Sequence, residues 1–162
     1  MITLRKLRTD DYPDMREIYM NPRVGFPAAI GAIENDAKML RLAAALIASE
    51  NLAMEMDGKV VGVIGHGEAS MALPGEIAAV IGYVVHEDYW GRGICTQAVR
   101  QYTDLLFAFG FDAVYADCFL DNPASARVLE KAGFVYQYDF TKEFACFAQP
   151  KELHLYKKTI GE

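Results

Sequence analysis

The chain has 162 residues, 52% of them apolar, with a modest charged fraction and no low-complexity run; this fits one globular domain with a sizeable core and excludes a disordered chain. A formal net charge of -6 and a pI near 5.1 argue against a nucleic-acid surface, because that affinity rests on clustered Lys and Arg, and suit a cationic partner better. Met1 to Lys6 runs straight into an amphipathic pattern without an apolar signal core, and no stretch approaches the roughly 20 apolar residues that span a bilayer, so the expected setting is the cytoplasm, with no membrane partner.

Thr9 followed by Asp10 and Asp11 reads as an N-cap and acidic first turn, and Tyr12, Met15, Ile18 and Tyr19 recur at helical spacing up to the Asn21-Pro22 break. Asn35-Asp36 opens a second helix, with Met39, Leu40, Ala43, Leu46 and Ile47 on one side. Between them, Arg23 to Gly31 is rich in breakers and apolar residues: either a loop that shapes a pocket or a packed connection. The period then changes. Leu52 to Met56, the turn Asp57-Gly58 and Lys59 to Gly67 predict a β-hairpin. A third strand follows from about Glu76 to His86; its apolar run from Ala78 to Val85 predicts cover on both faces, with Gly82 marking a bulge or a close backbone approach.

From Ile94 a helical pattern returns with Ala98, Tyr102, Leu105, Leu106 and Phe109 on one face, until Gly110 stops it as a left-handed C-cap. Ala113 to Phe119 is β-rich, Asn122-Pro123 opens another helix, and Gly133-Phe134 closes it as Gly110-Phe111 closes the one before. Two strands near Phe134 to Phe140 and Glu152 to Lys158 finish the chain; they either close the sheet or pair across a dimer, so the oligomeric state is open. The predicted class is α+β: a single domain over residues 1–162, with a mixed, largely antiparallel central sheet flanked by helices. Cys95, Cys118 and Cys146 are odd in number and lack C-x-x-C spacing, which predicts reduced packing residues rather than a zinc site or disulfide framework, and no cluster of ligand spacing predicts a metal.

The most informative stretch is Tyr89-Trp90-Gly91-Arg92-Gly93-Ile94-Cys95-Thr96, where the central strand hands over to the longest helix. Gly91 and Gly93 can take angles that Cβ-bearing residues avoid, letting successive N–H groups converge before the helix. Those N–H groups lack partners inside the helix and sit at its positive end. A pyrophosphate there would gain hydrogen bonds plus a dipole contribution of roughly 0.3–1 kcal/mol per charge, and Arg92 can add a direct charge contact. A ligand-free β-to-α turn can carry the same letters. The dinucleotide fingerprint G-x-G-x-x-G is not met, since Thr96 stands at its third glycine, and the phosphate loop G-x-x-x-x-G-K-[ST] is absent.

This run resembles the coenzyme-A signature [QR]-x-x-G-x-[GA] of GNAT acetyltransferases, with Gly93 at the first glycine, and Asp121 to Phe134 resembles that family's next block, Asn-x-x-[Ser/Ala]…Gly-Phe. The order and separation of the blocks and the element order over nearly the whole chain agree. Trp90 and Cys95 depart from the signature, yet Trp-Gly-x-Gly and a Ser three residues after the Asn are similar to the branch of ribosomal-protein N-terminal acetyltransferases, RimJ/RimL-like, which also includes members acting on amino acids and small amines. The resemblance implies acetyl-CoA as cosubstrate and a small-molecule amine or protein N-terminus as acceptor. It places the pyrophosphate on the N–H groups of Arg92, Gly93, Cys95 and Thr96, around Gly91 and Ile94. The pantetheine arm then runs beside Val84 and Val85, with Asn122 binding it from the far side. Asn122 is also explained as a plain helix N-cap.

Acetyl transfer needs a neutral amine, stabilisation of a developing oxyanion and a way to release the thiolate. Where many family members place a Glu on the central strand this chain has Val80, which leaves Glu76, His86 or Asp117 as bases. The family's tyrosine acid is replaced by Leu129. Ser125, one turn after Asn122, is the substitute, with an N3 serine bonding the helix start as its other reading. Cys95 lies at a helix N-terminus, which lowers thiol pKa, but no base or cationic partner stands beside it in sequence, so direct transfer is expected. Val80 and Leu129 also leave open a catalytically silent acyl-CoA-binding module, and an enzyme for longer acyl groups would need a wider pocket beyond Tyr83.

Overall fold

The computed structural model describes residues 1–161. In chain order the elements are β1 (Thr3–Lys6), α1 (Tyr12–Tyr19), α2 (Pro22–Gly25), α3 (Asp36–Ala48), β2 (Leu52–Met56), β3 (Lys59–Glu68), β4 (Ala78–Val85), α4 (Ile94–Ala108), β5 (Ala113–Phe119), α5 (Pro123–Lys131), β6 (Val135–Lys142) and β7 (Lys151–Thr159). Seven strands form one sheet in the order β1-β2-β3-β4-β5-β7-β6, antiparallel throughout except for the β4/β5 pair. The α+β class read from the sequence holds. No helix among the described residues is long and apolar enough to cross a membrane.

Strand β1 is absent from the sequence reading. Its four residues pair with β2, Ile2 is buried against the core, and Arg5 forks onto Asp11 at 2.8 Å on both nitrogens while its Nε donates to Glu55 at 2.6 Å. Asp11 also accepts the Arg8 N–H at 2.8 Å. Asp11, rather than Thr9, therefore satisfies the backbone before α1. The guanidinium beside it holds the Asp11 carboxyl below its ordinary range.

The hairpin turn forms as expected, with φ of +50° at Asp57 and +79° at Gly58, the paired left-handed angles that match strand twist. Asn35 and Asn122 cap their helices through side-chain oxygens that accept the Lys38 and Ser125 N–H groups. Behind α4, the Phe111 N–H reaches back to the Leu106 carbonyl, and behind α5 the Phe134 N–H reaches Leu129, closing both helices around positive-φ glycines. The two C-terminal strands close the sheet within the one chain, with β7 inserted between β5 and β6.

Helices cover the sheet on both faces. Ala79, Ile81 and Val85 of β4 and Val114, Ala116 and Cys118 of β5 pack with α4 and α5 in one core cluster. Val84, Val60 and Val63 pack with α1 and α3 in another. Gly82 marks no bulge, because the β3/β4 register runs unbroken from Gly62–Val85 to Glu68–Ala79.

Candidate active site

The β4/β5 pair holds together only at Ala78–Ala113, Ala79–Val114 and Val80–Tyr115. Past Val80 the strands diverge: β4 stays on β3, and β5 stays on β7 as far as Phe119. This splay opens a cleft of about 410 Å³ through the sheet. Its walls come from both faces, with Tyr19, Ala28–Ile30 and Leu46 on the α1–α3 side and Asn122 and Ser125 on the α5 side. The segment between α1 and α3 holds the short helix Pro22–Gly25, and its residues Pro27–Ile30 line the cleft, so it shapes the pocket.

Strand alternation settles which backbone groups face the opening. The His86 N–H bonds the Val61 carbonyl at 2.8 Å, so Val84 and Gly82, in phase with His86, turn their backbone groups to β3, while Tyr83 and Val85 turn theirs to the cleft. Of the two residues expected beside the pantetheine arm, Val85 presents its backbone and Val84 does not. The Trp90 indole N–H donates to the Val85 carbonyl at 2.8 Å. That bond ties the end of β4 to the turn and gives a physical role to the tryptophan that departs from the signature.

At the mouth of the cleft Gly91 and Gly93 both have φ of +74°, and a Cβ at either would meet nothing within 4 Å. The turn needs glycine for its backbone angle, not for space. Gly93 caps α4 with its carbonyl bonded to the Gln97 N–H, leaving the N–H groups of Ile94, Cys95 and Thr96 at the positive end of a 15-residue helix. Arg92 lies with its guanidinium 4.9 Å over the Tyr89 ring. A second groove runs from Gly93 and Thr96 along α4, lined by Gln97, Arg100, Gln101, Asp104 and Lys131.

Inside the splay, the Ser125 and Tyr83 hydroxyls lie 3.1 Å apart. Burial raises the Tyr83 phenol above its ordinary range, so it stays a proton donor at neutral pH. Leu129, by contrast, is fully buried in the core and offers nothing to the cleft. On the far side Asp117 lines the opening. Burial raises its carboxyl above the usual range, only partly offset by Lys142, and no protein hydrogen bond reaches it among the described residues.

The other two base candidates lie elsewhere. Glu76 accepts from the Tyr115 hydroxyl at 2.6 Å and from the Lys157 ammonium at 2.7 Å; burial pushes its pKa up, but these partners more than offset that and leave it lowered. His86 accepts the Asp88 N–H at 3.1 Å, faces Glu17 at 3.6 Å and stacks edge-on against Tyr89. Neither lines the cleft. Burial pushes the thiols up, Cys95 to about 12 and Cys118 to about 11, in Cys95 overriding the lowering that a helix N-terminus gives.

Three lining residues escaped the sequence reading as chemistry. In the sequence Tyr83 stands only as a pocket boundary, although period-2 alternation puts it on the face of Ile81 and Val85. His66 bonds the Tyr102 hydroxyl at 2.7 Å and is kept neutral by burial. The Asn51 amide donates to the Leu46 carbonyl at 3.1 Å, a contact made only in the folded chain.

The acetyltransferase (GNAT) domain model matches residues 1–135. A GNAT-family acetyltransferase from Bacillus anthracis superposes with a TM-score of 0.88 at 20% identity, covering 99% of this chain and 96% of that one. Spermidine N-acetyltransferase from Vibrio cholerae, solved in complex with CoA and spermine, gives 0.81 at 16%, covering 98% and 95%. Mycobacterium smegmatis RimJ, in complex with CoA-disulfide, gives 0.80 at 21%, covering 98% and 82%. With the family model spanning most of its length and its sheet splayed at β4 and β5, the chain belongs to the GNAT acetyltransferases.

Proposed function

We propose that this protein transfers the acetyl group of acetyl-CoA to a primary amine by direct attack in a ternary complex. The observation that carries the reading is the splay itself: a cleft through the sheet, with a glycine-built helix N-terminus at its mouth and polar groups gathered on both sides. In this reading the pyrophosphate lies on the N–H groups of Ile94, Cys95 and Thr96, with Arg92 free to swing from Tyr89 onto it. Arg100 and Lys131 outweigh Asp104 and leave the groove net positive for the nucleotide end. The pantetheine amides bond the open backbone of Tyr83 and the Val85 N–H, the Val85 carbonyl being held by Trp90, and Asn122 stands on the opposite wall.

The amine enters from the α1–α3 side. Its nitrogen attacks the thioester carbonyl, the carbon–sulfur bond breaks, and the nitrogen's proton passes to Asp117, whose raised pKa makes it a better base than an ordinary carboxylate. The thiolate leaves toward Ser125 and Tyr83, which hydrogen-bond or protonate it. A covalent acyl-cysteine is disfavoured by two thiols that stay protonated at neutral pH. Asp117 and the hydroxyl pair favour turnover over the silent binding module. Free-thiol release from acetyl-CoA against a panel of amines and short peptides tests the reading. Amine-dependent release supports it; acetyl-CoA binding with no release on any amine moves the assignment to a binding module.

A further inference from the structure

The side of the cleft that receives the acceptor has an unusual charge balance. Asp117 is the only charged residue lining the cleft among the described residues; no lysine or arginine does, and the one histidine, His66, is neutral. The nearby cations are engaged elsewhere. Lys142, whose field reaches Asp117, holds its ammonium 5.3 Å over the Phe144 ring; Lys151 lies 5.0 Å over the Phe119 ring but is neutralised by Asp121 at 2.8 Å; Lys157 pairs with Glu76 at 2.7 Å. The Asn51 amide gives one of its two N–H donors to the Leu46 carbonyl and carries no charge.

The rest of this side is glycine backbone and hydrocarbon with the uncharged polar groups of Tyr19 and Asn51. Gly65 and Gly82 face each other across β3 and β4, Gly67 follows in the same phase, and a Cβ at Gly67 or Gly82 would meet nothing within 4 Å. One wall is Phe119, packed edge-on against Phe144 and Phe147 at 5.5 Å each. An ammonium entering here meets a partner for its charge. A carboxylate beside that ammonium would be desolvated next to a like charge with no lysine or arginine lining the cleft to pair it.

Resting on the transfer reading above, we propose that the acceptor is a primary amine with no anionic group on the carbon bearing its nitrogen. Free amino acids are excluded, while their amides, the matching decarboxylated amines and peptide N-termini are admitted. Asp117 is the docking carboxylate, and the glycine floor admits the alkyl or aromatic remainder.

The test uses the full chain and matched sets on leucine and phenylalanine scaffolds: the amino acid, its amide, the decarboxylated amine and a short C-terminally amidated peptide with that first residue. Thiol release should give a kcat/KM at least about tenfold higher, 1.4 kcal/mol, for each uncharged partner than for the parent amino acid; the amine and peptide arms separate a small acceptor from a protein N-terminus. Equal or better use of the amino acids overturns the proposal. Calorimetric titration of the same compounds into CoA-saturated protein decides the case in which no thiol is released. Amides and amines binding about tenfold tighter than amino acids uphold the proposal while the transfer reading falls; equal binding, or none, overturns it. In Asp117→Asn the preference should shrink toward parity, and an unchanged preference removes Asp117 from the selection.

Discussion

Replacing Asp117 by Asn should slow the enzyme while making it more stable, a pairing that separates a base from a packing residue. At pH 7 an aliphatic amine of pKa near 10.4 must give up its proton against about 3.4 units, roughly 4.6 kcal/mol, whereas an α-amine loses about 1–1.4 kcal/mol. A positioned base contributes on the order of 10²–10⁴-fold. Because Asp117 is half-buried rather than sealed from water, the low end applies, and kcat on an aliphatic amine should fall by about 10²-fold at pH 7. The deficit should narrow as pH rises toward the amine's own pKa and solvent takes over deprotonation.

Stability should move the other way. Burial raises the carboxyl above its unfolded value, so the folded state binds the proton more tightly. The wild type then loses stability as pH climbs from the unfolded pKa, about 3.9, through the folded one, at about 1.4 kcal/mol per unit of upward shift before solvent screening. The Asn variant lacks that loss: its Tm should exceed that of the wild type at pH 7, and the two should converge below about pH 4. Steady-state thiol release from pH 6 to 10 and thermal melts from pH 3 to 8 supply the two readouts. Wild-type kcat in the variant, or a lower Tm at pH 7, would refute the reasoning.

Tyr83→Phe and Ser125→Ala should each lower kcat only several-fold, since either hydroxyl can serve the departing sulfur, while the double variant should lose on the order of 10²-fold; additive single effects in the kinetics would show the pair does not act as a unit. Cys95→Ala should keep turnover within a few-fold, and the wild-type thiol should resist alkylation at pH 7, as a pKa of about 12 requires. Glu76→Gln should leave kcat unchanged while costing about 1–3 kcal/mol by denaturant melts, because it leaves Lys157 half-buried without its partner. The wild-type contribution of Glu76 is present above its unfolded pKa and is lost as pH falls through the lowered folded one.

The parts legible in sequence were those decided locally. Asp57-Gly58, Gly110, Gly133 and the two capping asparagines announce their turns because the backbone angle or the capping oxygen is a property of the residue itself. Strand β1 was not legible: four residues at a sheet edge carry too short an alternation, and its place depends on β2 and on the fork from Arg5 to Asp11. Among the base candidates, Asp117 was separable from Glu76 only through Lys157, 81 positions away from Glu76 in the chain. The hydroxyl pair likewise joins Tyr83 to Ser125 across 42 positions. Trp90 departs from the motif in sequence, and its role lies in the indole bond to the Val85 carbonyl, which only the fold creates.

The most direct test of amine acetylation at the splay is mass analysis of the products of acetyl-CoA and a decarboxylated amine, with thiol release counted in the same samples. Amine carrying one acetyl group for each thiol released, with both falling together in Asp117→Asn, is the predicted result. Thiol release without acetylated amine, or none from any amine while acetyl-CoA binds, would contradict it.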